Sequence, residues 1–115
     1  LKDCDMIFLA ADNNPARKAL CEFCKENKIP LMTGGIDGFY GTAYLYLPDI
    51  TPDIIKAGLA KGKKATANNS PTAGIIGSFQ AATGIQYLLT KDKNLGGRLT
   101  VFDNGSFSQL KLQAF

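Results

Sequence analysis

Histidine is absent from this sequence of 115 residues, and cysteine occurs only three times. Without histidine the chain supplies no histidine general base and no histidine-containing metal site. The three cysteines, Cys4, Cys21 and Cys24, are an odd number in a chain rich in alternating helix and strand signals. That pattern indicates a reducing, cytoplasmic setting rather than a disulfide framework.

Long apolar runs and concentrated charge are also missing. No apolar run approaches a membrane span free of polar residues, and there is no signal peptide, so we expect no membrane association. The net charge of +3 is spread along the chain, and its longest basic run, Lys61-Gly62-Lys63-Lys64, is too short to indicate nucleic-acid binding. The length corresponds to one domain or less. Because the chain begins with Leu1 and a polar run-up to a strand, we expect a fragment of a longer protein.

The most informative stretch is an apolar run that ends in Asp-Asn just before a helix. Met6 to Ala10 read as a strand covered on both faces, as in a parallel sheet. Asn14 is a good N-cap, and Pro15 falls at the first helical position, where its missing N–H costs nothing. Asp12 therefore lies at the carboxyl end of the strand, where open α/β sheets bind ligands. Two readings stay open: Asp12 holds Mg²⁺ on a nucleotide, or it satisfies backbone N–H groups of the turn.

The helix that follows is amphipathic and carries a C-x-x-C pair. Its apolar positions have helical spacing: Ala16, Ala19, Leu20, Phe23 and Cys24. Cys21 and Cys24 are compatible with half a zinc site or a redox pair. Because zinc needs about four ligands and only Cys4 remains, we favour packing in the core and predict no zinc ligands.

The rest of the chain predicts a β-loop-β segment, a long connection, a helix and a hairpin. A short strand at 29–33 should break at Gly34-Gly35, and residues 39–47 alternate as a half-exposed strand. Residues 48–70 form a connection of unusual length, which is a mobile surface loop, a segment that crosses a substrate, or both. In the helix at 71–91 we expect two stripes, one apolar (Ile75, Phe79, Ala82, Ile85, Leu88, Leu89) and one of closely packed small residues (Gly74, Gly77, Ala81, Gly84). Asn104-Gly105 predicts a hairpin at the sheet's edge.

In this order the parts resemble the carboxyl-terminal half of the ThiF/MoeB/HesA family, relatives of ubiquitin-activating enzymes. The resemblance covers nearly the whole chain and rests on six stretches in family order: 3–8, Asp12-Asn13 with Arg17, 28–31, 38–41, 74–81 and 97–103. It implies an α/β fold, the second half of a Rossmann-like doubly wound sheet with an antiparallel carboxyl-terminal hairpin. The expected organisation is β-α-β-β at 1–47, a crossing loop at 48–70, and a helix with a hairpin at 71–115, without the nucleotide-binding amino-terminal half.

The resemblance also implies a reaction, namely Mg·ATP-dependent adenylation of the carboxyl-terminal glycine of a ubiquitin-like sulfur carrier or peptide. Asp12 matches the family's aspartate that binds Mg²⁺ and the phosphates, with Asn13 and Arg17 beside it as cofactor-binding candidates. Arg17 is expected to support Asp12 or the turn, or to be an ordinary exposed helical arginine. Family members usually form homodimers, and the small-residue stripe of the long helix is a candidate contact.

Three features depart from the family pattern. The glycine-rich nucleotide loop is not in this chain, so the fragment alone should be inactive. The second C-x-x-C of the family's structural zinc site is missing. No cysteine lies between residues 25 and 115, and Lys63 falls near the family's thioester cysteine, so we predict adenylation without a covalent thioester.

Two other readings remain. A non-catalytic partner-binding or dimerisation module of the same fold would also lack the cysteine, although the intact Asp12-Asn13 disfavours it. An NAD-linked dehydrogenase ranks last, because a doubly wound sheet supports many chemistries and no catalytic acid–base pair is apparent.

Overall fold

A computed structural model describes residues 3–9, 14–37, 39–52 and 70–111 of the chain. Over these ranges the chain forms a five-stranded mixed sheet whose strands lie in chain order. The first two strands are parallel and the others antiparallel. The elements are β1 (Ile7–Phe8), α1 (Asn14–Asn27), β2 (Leu31–Asp37), β3 (Tyr40–Tyr46), α2 (Ser70–Thr90), a 3₁₀ turn (Lys93–Leu95), β4 (Arg98–Asp103) and β5 (Ser106–Lys111). The predicted α/β architecture is confirmed. Neither helix of the described part is both long and apolar enough to cross a membrane.

The first strand and helix follow the local signals. The N–H of Leu9 donates to the carbonyl of Met32 at 2.9 Å, so pairing with β2 continues one residue beyond β1. Pro15 lies in the first turn of α1, where its missing N–H is tolerated. Burial on both faces is only partly correct, because Leu9 is buried while the Phe8 ring is 42% exposed.

The core consists of two clusters, one on each face of the sheet. On one face, α1 covers β2 and β3 through Cys21, Cys24, Leu31, Tyr44 and Tyr46. On the other face, α2 covers the same two strands through Met32, Ala43, Leu45, Leu47 and Tyr87. Helices on both faces are what a parallel β-α-β unit requires, since each face of the sheet must be covered.

β3 is buried on both faces, so the predicted half-exposed strand is wrong. Its tyrosines supply the polar side of the alternation, yet Tyr44 and Tyr46 are 1% and 2% exposed. Their rings pack under α1, and the Tyr44 hydroxyl donates to the Pro52 carbonyl at 3.0 Å. Tyrosine can be buried in this way because its ring is apolar and its single hydroxyl has a partner. Alternation of tyrosine with leucine therefore does not distinguish a half-exposed strand from a buried one.

The glycine pair of β2 does not break the strand. Gly34 and Gly35 lie inside β2 and pair with Ala43 and Thr42 of β3. Glycine in a strand interior marks a place where another group closely approaches the backbone. Here the approach comes from both helices, as described below.

α2 buries a different face from the one predicted. Its buried residues include Thr72, Ile76 and Tyr87, whereas Ile85 and Leu89 are 54% and 80% exposed. The small residues Gly74, Gly77 and Ala81 are exposed rather than closely packed. Gly84 alone of the stripe is buried, and a Cβ atom there would lie 2.5 Å from the Phe8 ring. Polar Thr72 and a buried tyrosine thus face the sheet, and hydropathy alone gives the wrong orientation.

The carboxyl-terminal hairpin is confirmed with its turn at Asn104-Gly105. Both turn residues have positive φ, 48° and 91°, as a two-residue turn matched to the twist of the strands requires. β5 forms the outer edge of the described sheet. The Lys111 ammonium donates to the Gly96 carbonyl at 2.7 Å and ties this edge to the 3₁₀ turn.

Candidate functional site

The candidate site lies where β1 ends and α1 begins, next to the part of β2 that extends beyond its pairing with β1. Residues 10–13 alone join Leu9 to Asn14, the first residue of α1. Asp12 and Asn13, the main residues of the predicted site, lie outside the described residues. The structure describes the elements on both sides of them, namely the end of β1, the adjacent part of β2 and the start of α1, which together form the frame of the site. The carboxyl end of parallel strands, next to a helix amino terminus, is the usual ligand position in open α/β sheets.

On the α2 side of this frame, the Gln80 side chain contacts both strands. Its Nε2 donates to the carbonyl of Leu9 at 3.3 Å and to that of Met32 at 3.4 Å. A Cβ atom at Gly34 would lie 2.5 Å from Cδ and 2.7 Å from Nε2 of Gln80. The amide group therefore lies flat against the backbone of β2, and glycine is the residue that leaves it room.

On the α1 side, the Arg17 side chain contacts the next residue of β2. A Cβ atom at Gly35 would lie 3.0 Å from Nη1 and 3.1 Å from Nη2 of the guanidinium. Arg17 is half-buried, so it is not the fully exposed helical arginine that was the simpler expectation. Its support of Asp12 stays a prediction, because Asp12 is outside the described residues.

The charge of the frame suits an anion. The Arg17 guanidinium is permanently positive and can form paired hydrogen bonds with phosphate or carboxylate oxygens. The amino terminus of α1 adds the positive end of a helix dipole at the same edge of the sheet. The edge thus fits the phosphates of a nucleotide, and Asp12 has the chemistry of a Mg²⁺ ligand. Among the described residues, no three Cys, Asp or Glu side chains come together as a metal site.

Packing of the C-x-x-C pair in the core is confirmed. Cys21 and Cys24 are 4% and 0% exposed and belong to the cluster beneath α1. Burial raises the pKa of the Cys24 thiol from 9.0 to about 11, so this group is a neutral thiol at physiological pH. Cys4, by contrast, is exposed and precedes β1, at the end of the strand opposite to the candidate site.

Thiol labelling should separate these cysteines. With iodoacetamide at about pH 8, Cys4 should react while Cys21 and Cys24 react only after unfolding, because reaction needs an accessible thiolate. Mass spectrometry of peptides from native and denatured protein measures this. The Cys24 thiol keeps its proton to a higher pH in the folded state than in the unfolded state. The free energy of unfolding should therefore fall as pH rises from about 9 to about 11. Rapid native labelling of Cys24 would contradict the described packing.

The crossing connection is described only at its start. Ile50 N and Thr51 N both donate to the Leu47 carbonyl at 3.0 Å, and the Thr51 hydroxyl accepts from Leu47 N at 2.9 Å. With the Tyr44–Pro52 hydrogen bond, these contacts fix the chain where the connection leaves the sheet. Residues 53–69, including Lys63, lie outside the described residues, so the interpretation of 48–70 as a substrate-crossing segment stays a prediction.

Sequence reasoning missed Gln80 and the role of Gly34-Gly35. The two glycines were visible as a pair after a short apolar strand, and adjacent glycines in a strand indicate backbone approach from both faces. Gln80 had no such signal, because one glutamine in a helix is indistinguishable from a solvent-exposed residue until the helix is oriented.

Comparisons with known proteins agree with this architecture. The chain is 30% identical over 105 residues to the "SAMP-activating enzyme E1" of Haloferax volcanii, a match that covers 86% of this chain and 39% of that protein. Among solved structures it resembles E. coli MccB with AMPCPP and selenomethionine MccA (TM-score 0.70, 14% identity, 94% of this chain and 37% of that one). It also resembles E. coli MccB with ATP (TM-score 0.68, 15% identity, 94% and 36%). The chain thus spans well under half the length of these proteins. The profile of the ThiF family matches residues 1–114, and the chain belongs to that family.

Proposed function

We propose that this chain is a carboxyl-terminal segment of an ATP-dependent adenylyltransferase that activates the carboxyl terminus of a ubiquitin-like sulfur carrier or a peptide. Family membership and the likeness to an E1 enzyme support the reaction class. The observation that carries the proposal is the Arg17 guanidinium, which lies against Gly35 of β2 on the side where α1 begins. ATP and reduced thiols are both cytoplasmic, and we place the reaction there.

The reaction is the attack of a carboxylate oxygen of the carrier's terminal glycine on the α-phosphorus of ATP, with pyrophosphate as the leaving group. Both reactants are anionic, so the site must neutralise charge before they can approach. A bound Mg²⁺ supplies much of this neutralisation. Asp12 holds that cation, Asn13 contacts the nucleotide, and Arg17 adds a fixed positive charge from α1. Little covalent chemistry is required of the protein, so the absence of histidine is no obstacle.

The chain's share of its relatives' length supports a role for a second segment. It covers 39% of the Haloferax protein and 36–37% of the MccB chains. We place the glycine-rich phosphate loop in the remaining part of the complete protein, so residues 1–115 alone should not catalyse adenylation. A non-catalytic partner-binding module remains the alternative.

The test is ATP–pyrophosphate exchange by the complete protein with a carrier that ends in glycine. Exchange that depends on the carrier and on Mg²⁺ would support adenylation. A carrier truncated by its terminal glycine is the matched control and should give none. Tight binding of the carrier without any exchange would contradict the enzyme and favour the binding module.

Adenylation should proceed without a thioester on this chain. Cys21 and Cys24 are buried, and Cys4 lies at the end of β1 that is opposite to the candidate site. Incubation with ATP and carrier should therefore give no thiol-sensitive conjugate that maps to residues 1–115. Non-reducing gels with mass spectrometry measure this, with Cys4→Ser as control. A conjugate that persists in wild type and disappears in Cys4→Ser would contradict the prediction.

The exposed face of α2 is the candidate homodimer contact. Gly74, Gly77 and Ala81 are exposed beside Ile85 and Leu89, and no atom of the described residues outside the helix backbone lies within 4 Å of a Cβ atom built at Gly74 or Gly77. Such a face lets the backbone of a partner helix approach closely, and large apolar side chains next to it favour burial. We therefore propose that two copies pack along this face.

Leu89→Glu should shift the complete protein from dimer to monomer, because a charge would be buried without a partner in the contact. Sedimentation velocity measures the change, which should exceed ten-fold in the dissociation constant, or ~1.4 kcal/mol. Leu110→Glu is the control, since Leu110 is also exposed (61%) but lies on β5. A wild-type protein that is monomeric at high concentration would contradict the proposal.

A further inference from the structure

The Gln80 amide is a polar group placed in the helix–sheet interface, where apolar packing would serve stability equally well. It follows Ile76 by one turn on the buried face of α2. Its two acceptors are the carbonyl of Leu9, the residue after β1, and the carbonyl of Met32 in the neighbouring parallel strand β2. A neutral hydrogen bond stabilises the folded state no more than a packed apolar side chain would. Unlike apolar packing, these hydrogen bonds are directional, so the amide joins the two chain segments at one defined place.

That place is the point where β1 and β2 stop pairing. Their register ends at Phe8 opposite Met32, and the hydrogen bond from Leu9 N to the Met32 carbonyl is the next contact. β1 has only two strand residues, so pairing with β2 holds its end weakly. Gln80 therefore supplies a contact to the end of β1 from a 21-residue helix that is packed along the sheet.

We propose that Gln80 is a positioning residue for Asp12, which follows Leu9 by three residues. By fixing the carbonyl of Leu9 against that of Met32, the amide sets where the chain leaves β1 on its way to Asp12. Gln80 does not touch the reactants in this account. The inference rests on the proposed function, because positioning matters only if Asp12 serves the reaction.

Gly34 belongs to the same arrangement, because it leaves space for the Gln80 amide. A Cβ atom at this residue would lie within 2.5–2.8 Å of the three terminal heavy atoms of the Gln80 side chain, so even alanine displaces the amide. Gly35 has the matching role on the opposite face, where Arg17 takes the space. The two glycines therefore let one side chain from each helix reach the same short segment of β2.

The first experiment compares Gln80→Glu and Gln80→Met with wild type in the complete protein. Glu keeps the shape but replaces the donor with a carboxylate that repels both carbonyls, and Met keeps the length without polarity. We expect kcat for pyrophosphate exchange to fall about ten-fold or more, because small misplacements of reacting groups lower the rate by such factors. The Mg²⁺ concentration for half-maximal activity should rise, while KM for the carrier stays within two-fold.

Gln86→Glu is the matched control, with the same charge change on an exposed residue of the same helix. It should leave kcat and the Mg²⁺ requirement unchanged. Because loss of stability alone lowers the active fraction without changing the Mg²⁺ requirement, that requirement distinguishes positioning from a structural role. Wild-type kcat and Mg²⁺ requirement in folded Gln80→Met, or in folded Gln80→Glu, would overturn the inference.

A double-mutant cycle gives an independent test. Gly34→Ala should lower kcat in the wild-type background and have little further effect in Gln80→Ala, because both changes remove the same contact. Gly35→Ala should instead add its effect to that of Gln80→Ala, since it displaces Arg17. Additive effects of Gly34→Ala and Gln80→Ala would overturn the inference.

The two proposals fail in distinguishable ways. If the wild-type protein shows no ATP–pyrophosphate exchange, the proposed function fails independently of the role of Gln80. Amide hydrogen–deuterium exchange then still tests the positional claim, since the amides of Ile7 and Leu9, which donate to β2 and the residue before it, should exchange faster in Gln80→Met than in wild type. If wild type is active and Asp12→Ala is inactive, unchanged kinetics in the Gln80 variants refute positioning alone.

Discussion

Asp12→Ala should abolish ATP–pyrophosphate exchange in the complete protein, with a loss of about 10³-fold or more. In the proposed function this carboxylate supplies the negative charge that holds the cation between two anionic reactants, and no other Asp or Glu lies between residues 6 and 21. Asp12→Asn should lose nearly as much, because the amide keeps the shape but not the charge. The measurement is the exchange rate at saturating ATP and carrier, over a series of Mg²⁺ concentrations.

Asp5→Ala is the matched control for this result. Asp5 is an exposed aspartate that precedes β1, whereas Asp12 follows it, so the two variants make the same change at opposite ends of one strand. Asp5→Ala should keep wild-type exchange. Full activity in Asp12→Ala would refute the role assigned to Asp12, even if the protein proves to be an adenylyltransferase.

The sequence could predict the elements whose signals are local. Pro15 after Asn14 marked the start of α1, and Asn104-Gly105 marked the hairpin turn, because both depend on backbone conformations that few residues adopt. The same signals predict the candidate site, and Asp12 and Asn13 stay predictions because they lie outside the described residues. An apolar strand that ends just before a helix start is enough to locate the carboxyl edge of a sheet.

What sequence could not predict depends on contacts between distant residues. The orientation of α2 is set by Ile76 against Gly41 and by Gln80 against Gly34, pairs more than 30 residues apart. Hydropathy favoured the face with Ile85 and Leu89, which the structure leaves exposed. A single-sequence pattern records which side chains are apolar but not which surface covers them.

The glycine pair was misinterpreted for a related reason. Two adjacent glycines are typical of the end of a strand. Here the strand continues through Gly34-Gly35, because the side chains of Gln80 and Arg17 pack against its two faces at these residues. Close backbone approach is a property of two elements together. β3 was expected to be half-exposed and was misinterpreted for the same reason, since Tyr44 and Tyr46 are buried beneath α1.

The largest effect on stability should come from Leu31→Ala. Leu31 is 0% exposed at the start of β2, in the cluster that joins β1, α1 and β3. Removing its side chain leaves a cavity among buried neighbours, which should lower the free energy of unfolding by about 3 kcal/mol. Urea denaturation of the complete protein measures this. Leu110→Ala makes the same change at a residue that is 61% exposed and should cost less than ~0.5 kcal/mol.

Leu31→Ala should also lower pyrophosphate exchange, but for a different reason from Asp12→Ala. A loss of about 3 kcal/mol is a large part of a typical domain's 5–15 kcal/mol, so it depletes the folded fraction as temperature rises. Near the temperature of maximum stability, at about 10–20 °C, folded Leu31→Ala should regain most of its activity. Asp12→Ala should stay inactive at every temperature, because its fold is intact and its charge is missing. Equal temperature dependence in the two variants would contradict the proposed division of this chain into a core that holds β2 and a site at Asp12 that binds the cation.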